Sequence, residues 1–167
     1  MSRYLGIDLE TFSAADLKTT GAHRYAEDPS FEVLLFGFAF DDDAPTVIDL
    51  TAREPIPKDV LDALQDPRIV KTGWNIAFER ACLARHLGCD QPAEQWEDTM
   101  VLASVCGLPL GLGDCGAALH MSADKAKDRD GKALIRWFCQ PCKPTKTRPE
   151  LTRHMPADYP DLSLIHI

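Results

Sequence analysis

Two carboxylates with the spacing to share a cation stand near the N-terminus: Asp8 and Glu10, at the end of the apolar run Tyr4-Leu-Gly-Ile-Asp8. In an extended strand, residues two apart project to the same side, so the pair can hold one divalent ion if the strand runs through both. Mg2+ and Mn2+ take carboxylate and water oxygens. Thr11 and Phe12 follow at once and place a hydroxyl and an aromatic surface beside the pair. A second group is Asn75-Ile-Ala-Phe-Glu79, in which Asn75 and Glu79 are four apart and would share one helical face next to Phe78. Each group also has an ordinary reading. Asp8 and Glu10 can be solvated acids, Asn75 a helix N-cap, Glu79 a first-turn acid suited to the helix dipole, and Phe12 and Phe78 core aromatics. The combination favours chemistry, because a strand-borne pair and a helix-borne acid near an adjacent strand end can converge on one metal cluster.

The elements that must position these groups follow from the hydrophobic pattern. The run ending at Asp8 reads as a buried strand. Residues 11–32 are polar and aperiodic, and residues 33–40 form a second apolar strand closed by the turn Asp41-Asp-Asp-Ala-Pro45. Residues 46–50 would return as a third strand. Pro57 suits the first turn of a helix reaching Gln65, and residues 69–74 make a fourth strand. Asn75 would cap a helix with Phe78, Cys82, Leu83 and Leu87 at spacings of three and four, stopped by Gly88. Further helices are predicted over 100–105, opened by Asp98-Thr99, over 112–120, and from residue 130 or 131 to 138. Beyond Phe138 the proline-rich basic stretch 139–149 excludes a helix or central strand and reads as a loop or arm. The order predicts a mixed α/β domain with three adjacent antiparallel strands and one crossover.

Composition sets the frame. A chain of 167 residues, 45% hydrophobic and 26% charged, predicts one globular domain. Apolar runs fall short of the ~20 residues needed to span a bilayer, so no membrane association is expected. Six dispersed cysteines need no disulfide scaffold, and a reducing, cytoplasmic setting is expected. The net charge of −8 argues against binding nucleic acid by bulk electrostatics. It conceals an asymmetry: residues 121–153 carry nine basic and four acidic residues, and the remainder is strongly acidic. Lys125, Lys127, Lys143, Lys146 and Arg148 can track a single-strand backbone or simply face solvent.

In their order along the chain these motifs resemble the 3′–5′ proofreading exonuclease domain of phage and bacterial family A DNA polymerases, members of the DEDD exonuclease superfamily. Ile7-Asp-Leu-Glu-Thr-Phe-Ser13 resembles the first exonuclease motif and Asn75-Ile-Ala-Phe-Glu79 the second, with Glu79 where aspartate is commoner. Asp16-Leu-Lys-Thr-Thr-Gly-Ala-His-Arg-Tyr-Ala-Glu-Asp28, Glu97-Asp-Thr-Met100 and Gly131-Lys-Ala-Leu-Ile-Arg-Trp-Phe138 add family-like wording. The resemblance implies a ribonuclease H-like mixed sheet flanked by helices. It implies hydrolysis of the 3′-terminal phosphodiester of single-stranded DNA by two Mg2+ or Mn2+ ions. Asp8 would bridge both ions, Glu10 would ligate one and touch the terminal nucleotide, and Glu79 would reach the second through water. Thr11, Phe12, Asn75 and Phe78 would contact the strand. A C-terminal polymerase domain is expected in the full-length protein, in a bacterial cell or a phage-infected host. Two other readings stay open: an inactive nucleic-acid-binding or structural module of the same fold, and an independent nuclease acting on RNA.

The family's third motif, Tyr-x-x-x-Asp or His-x-x-x-x-Asp on a late helix, has no counterpart. Tyr159 has Ser163 at the required offset, His154 has Tyr159, and Pro156 and Pro160 oppose a helix. The expected domain therefore spans residues 1–160 and stops before its last motif helix, with 161–167 a truncation end or foreign tail. Losing that helix is expected to bare part of the sheet's apolar face. Asp158 and Asp161 read as loop acids and Asp98 and Asp114 as helix caps. Cys139-Gln-Pro-Cys142 has zinc-knuckle spacing, but no second pair follows.

Overall fold

In the computed structural model, residues 3–121, 129–149 and 152–159 are described. The predicted tail at 161–167, Asp161, and the lysines at 125 and 127 lie outside them. Strand β1 runs Arg3–Phe12, β2 Glu32–Phe40, β3 Thr46–Asp49, β4 Ile69–Gly73 and β5 Trp96–Asp98, in the sheet order β3-β2-β1-β4-β5. The first three strands are antiparallel neighbours, while β4 and β5 continue the sheet in parallel. This is the expected mixed architecture, and β1 does run through both Asp8 and Glu10.

Alternation along β1 decides which side each group faces. Leu5, Ile7 and Leu9 enter the main core, with Phe36 and Phe40 of β2 and side chains from helices α1 (Leu17–Glu27), α2 (Lys58–Gln65) and α3 (Ala77–Leu87). Asp8, Glu10 and Phe12 take the opposite side. A second core there joins Phe12, Leu34 and Leu35 to Phe138 and Cys139 from the end of helix α6 (Arg129–Phe138), so helices cover both faces of the sheet. An irregularity at Leu34, where Glu10 pairs with Leu35 and Thr11 with Val33, turns Leu34 and Leu35 both into this second core.

Several features differ from the sequence expectation. Helix α1 occupies the stretch read as aperiodic: Asp16 caps it by accepting from the Lys18 N–H at 2.8 Å, and Gly21 interrupts it with φ 76°. That interruption, together with few apolar positions, hides the helical period. Strand β5 has only three residues, too short to carry an alternation. Exposed apolar side chains on the sheet are Tyr4 and Val47, while a larger group lies on helices α4 (Thr99–Val105) and α5 (Leu112–Ala118) and their linker, at Val101, Leu102, Val105, Leu110 and Leu112. Asp114 lies in the first turn of α5 rather than at its cap, which is Gly111. Among the described residues no helix is long and apolar enough to cross a membrane.

Strand β4 is fixed from both ends. Lys71 is fully buried and donates from Nζ to the Asp66 carbonyl and to Gln95 Oε1, both at 2.9 Å. At the other end Gly73 presses against β1: a Cβ there would stand 2.9 Å from the Ile7 carbonyl oxygen, a backbone atom that cannot step aside. Gly73→Ala is therefore expected to prise β4 from β1 next to Asp8, at a cost of about 1–3 kcal/mol. Thermal unfolding reads this as a lower midpoint, and an unchanged midpoint would refute the contact.

Candidate functional site

Asp8 and Glu79 come within electrostatic reach of each other near the end of β4. Parallel pairing of β1 with β4 stops at Gly6 opposite Thr72, and β4 itself stops at Gly73, so Asp8 lies beyond the end of its neighbour. On the other side Asp8 pairs with Gly37, where a Cβ would come 3.7 Å from the Asp8 Cβ. The missing side chain keeps that flank open. Asp8 is exposed and Glu10 half-buried.

Glu79 reaches the corner from α3 and is only 5% exposed. Its Oε2 is buried without a hydrogen-bond partner. Burial pushes its carboxyl up to about 8, and the charges of Asp8 and then Asp98 add to the shift. A buried carboxylate facing two others is costly unless a cation joins them. The donors are all hard oxygens, which fits Mg2+ or Mn2+ in kind. In number they fall short: among the described residues no three His, Cys, Asp or Glu side chains form a group that could hold a metal ion. The Cys139 and Cys142 thiols are free, and no zinc site forms with them among those residues.

The turn into α3 differs from the expected cap. Asn75 has φ 64°, a left-handed conformation that asparagine tolerates, and α3 begins only at Ala77 after an Ile76 cap. Asn75 and Glu79 therefore do not share a helical face. The Asn75 backbone N–H instead donates to Asp98 Oδ1 at 3.0 Å, and the same oxygen caps α4 through the Met100 N–H at 2.9 Å. Thr99 Oγ1 donates to the Gly73 carbonyl at 2.7 Å. Asp98 is thus the cap the sequence indicated, and it also holds the turn that delivers Glu79.

Beside Glu10 opens a cleft of about 600 Å3, lined among others by Thr11, Leu17, Lys18, Tyr25, Phe78 and Cys139. Of the residues expected to touch a strand, Thr11 and Phe78 line it. Phe12 does not: it is 1% exposed, because α6 covers the face of β1 on which it stands. Tyr25, on a helix the sequence did not reveal, organises the cleft. Its hydroxyl and that of Thr11 are 3.0 Å apart and its ring lies 5.8 Å from that of Phe78. Burial pushes its phenol up to about 12, so it stays protonated. The places of Glu32, Cys139 and Arg153 behind Glu10 and Phe12 were not legible in the sequence, where Cys139 was read only for its spacing from Cys142, because their contacts join distant segments.

The end of the described chain has no motif helix. Pro156–Asp158 is a single 3-10 turn, Tyr159 OH lies 3.1 Å from His154 Nδ1, and Asp158 pairs with Arg148 as a loop acid.

No family model matches the chain. Over 157 residues, 94% of its length, it is 45% identical to the DNA polymerase of Bacillus phage SP02, of which it spans 24%. The chain thus covers about a quarter of that relative. Among solved structures, Brucella melitensis NrnC with bound Mg2+ is similar at a TM-score of 0.53 and 20% identity, over 74% of this chain and 57% of that one. Escherichia coli RNase D, an exoribonuclease involved in structured RNA processing, is similar at 0.50 and 18%, over 77% of this chain and 30% of that one. These likenesses are of fold: the chain has a ribonuclease H-like fold, a mixed five-stranded sheet with flanking helices. The sequence relative, a phage DNA polymerase, agrees with the polymerase resemblance read from the motifs.

Proposed function

We propose that this chain is the 3′–5′ exonuclease domain of a longer DNA polymerase and removes nucleotides from the 3′ end of single-stranded DNA. The observation that carries the reading is the buried and unpartnered Glu79 carboxylate within electrostatic reach of Asp8, which stands beyond the end of β4 on the same face of β1 as Glu10. The sequence relative supports the polymerase setting, and the fold supports a nuclease.

Asp8, Glu10 and Glu79 would hold the divalent ions, two in number. Bound Mg2+ or Mn2+ supplies an acidified water and neutralises the charge that builds on the scissile phosphodiester. In that hydrolysis a water oxygen bonds to phosphorus, the bond to the 3′ oxygen of the penultimate nucleotide breaks, and the terminal nucleotide leaves as its 5′-monophosphate. The chain's own residues bind and orient. The cleft has the volume of a small-molecule site, and the Phe78 ring, steadied by Tyr25, offers a sequence-tolerant stacking surface. Lys18 on the rim brings a positive charge toward phosphate. A polymerase domain would lie elsewhere in the longer protein, since the chain spans only 24% of its phage DNA polymerase relative.

The test is release of mononucleotides from 3′-labelled single-stranded DNA in Mg2+ or Mn2+, with the same strand carrying RNA ends as comparison. DNA trimming from the 3′ end that chelator abolishes is expected. Trimming confined to RNA ends would replace the reading with that of an RNA nuclease, which RNase D, an exoribonuclease of the same fold, makes the relevant rival.

A further inference from the structure

The wall behind Glu10 is built by residues far away in sequence. Helix α6 packs Leu134, Ile135 and Phe138 against the second core. The Cys139 N–H donates to the Ile135 carbonyl at 2.8 Å, so helical bonding extends to Cys139 and sets the direction of its side chain. Its thiol is buried, 3.9 Å from Glu10 Oε2, with the S–H donating. Arg153 closes the wall. It is 6% exposed, pairs with Glu32, lies 5.6 Å over the Phe12 ring and acts electrostatically on Cys139.

We propose that Cys139 is a positioning residue for the metal site, holding the Glu10 carboxylate in the orientation in which it meets a divalent cation. The inference rests on the reading of Glu10 as a ligand. A glutamate side chain loses rotamer freedom on binding an ion, and the Cys139 hydrogen bond from behind contributes to holding Glu10 in place before the ion arrives. The choice of donor suits the task. A neutral thiol is a weak donor and orients Glu10 without competing for its charge as an ammonium or guanidinium would. Arg153 is engaged by Glu32 and acts as a backing for Phe12 and Cys139.

The experiment compares the full chain with its Cys139→Ala and Cys139→Ser variants by Mn2+ titration, read as loss of the free-Mn2+ paramagnetic resonance signal. Thermal unfolding in chelator checks the fold, and Glu10→Gln serves as the ligand-loss control. Cys139→Ala is expected to weaken Mn2+ binding about 10-fold at a nearly unchanged midpoint. Cys139→Ser, which keeps a donor, is expected to stay within about 3-fold of the parent, a loss well short of that for the outer-shell deletion. Parent-like Mn2+ affinity in the alanine variant would overturn the proposal, as would a folded serine variant that binds as weakly as the alanine one. A parent chain that binds Mn2+ no better than Glu10→Gln would overturn the reading of Glu10 as a ligand, and this inference with it. Should the alanine variant fail to fold, Cys139→Ser decides: near-parent Mn2+ affinity supports the proposal, and binding as weak as that of Glu10→Gln overturns it.

Discussion

Replacing Asp8 and Glu10 together by alanine is expected to abolish nucleotide release, a loss of about 10^3-fold or more. The size follows from the role: charge stabilisation by a bound divalent ion contributes several kcal/mol at the transition state, and each 1.36 kcal/mol is a factor of ten. The fold should survive, since Asp8 is exposed and Glu10 half-buried, and removal of Asp8 relieves repulsion on Glu79. The midpoint of thermal unfolding in chelator should hold or rise. Calorimetric titration with Mg2+ or Mn2+ separates two causes of inactivity. A chain that binds the ion through these acids yet releases nothing has a working ligand set without the further groups that hydrolysis needs. A chain that neither binds nor cuts, or a double variant that trims as fast as its parent, would sink the proposed site.

What the sequence disclosed depends on how local each signal is. β1, β2 and β4 are apolar runs whose direction and end residues could be read directly, and Asp8 with Glu10 came with them because a strand fixes the side of residues two apart. Asp98 was legible as a cap because its partner is two residues away. The Asn75 to Glu79 spacing misled, since it assumed helical backbone where φ is positive. Phe12 misled for another reason. Alternation places it beside the acids, and only the packing of α6, more than a hundred residues later, removes it from a ligand's reach. Tyr25, Cys139 and Arg153 share that cause: a buried aromatic, a thiol or a guanidinium acquires its role from what tertiary structure brings to it. The missing third motif was legible as an absence, and the single turn at Pro156–Asp158 agrees with it among the described residues.

Glu79→Gln is expected to stabilise the metal-free chain and to strip it of stabilisation by metal. The folded-state value of the Glu79 carboxyl, about 8, lies above its ordinary value of 4.5. Between those two pH values the folded chain keeps a proton that the unfolded chain has released, so stability falls as pH rises through the window and is flat on either side of it. Across it the loss is about 2–4 kcal/mol, since each unit is worth 1.36 kcal/mol and the buried environment relaxes in part. Glutamine is neutral, of the same shape, and carries no such dependence. In chelator at pH 8 the variant should melt about 5–10 °C above its parent, while at pH 4 the two should coincide. Added Mn2+ reverses the order, because it binds the folded parent and stabilises it by mass action, whereas the amide gives the ion a poorer ligand. A variant that melts below its parent in chelator at pH 8 would show that Glu79 is not an unpaired buried carboxylate. Equal stabilisation of both chains by Mn2+ would show that the ion is held without it.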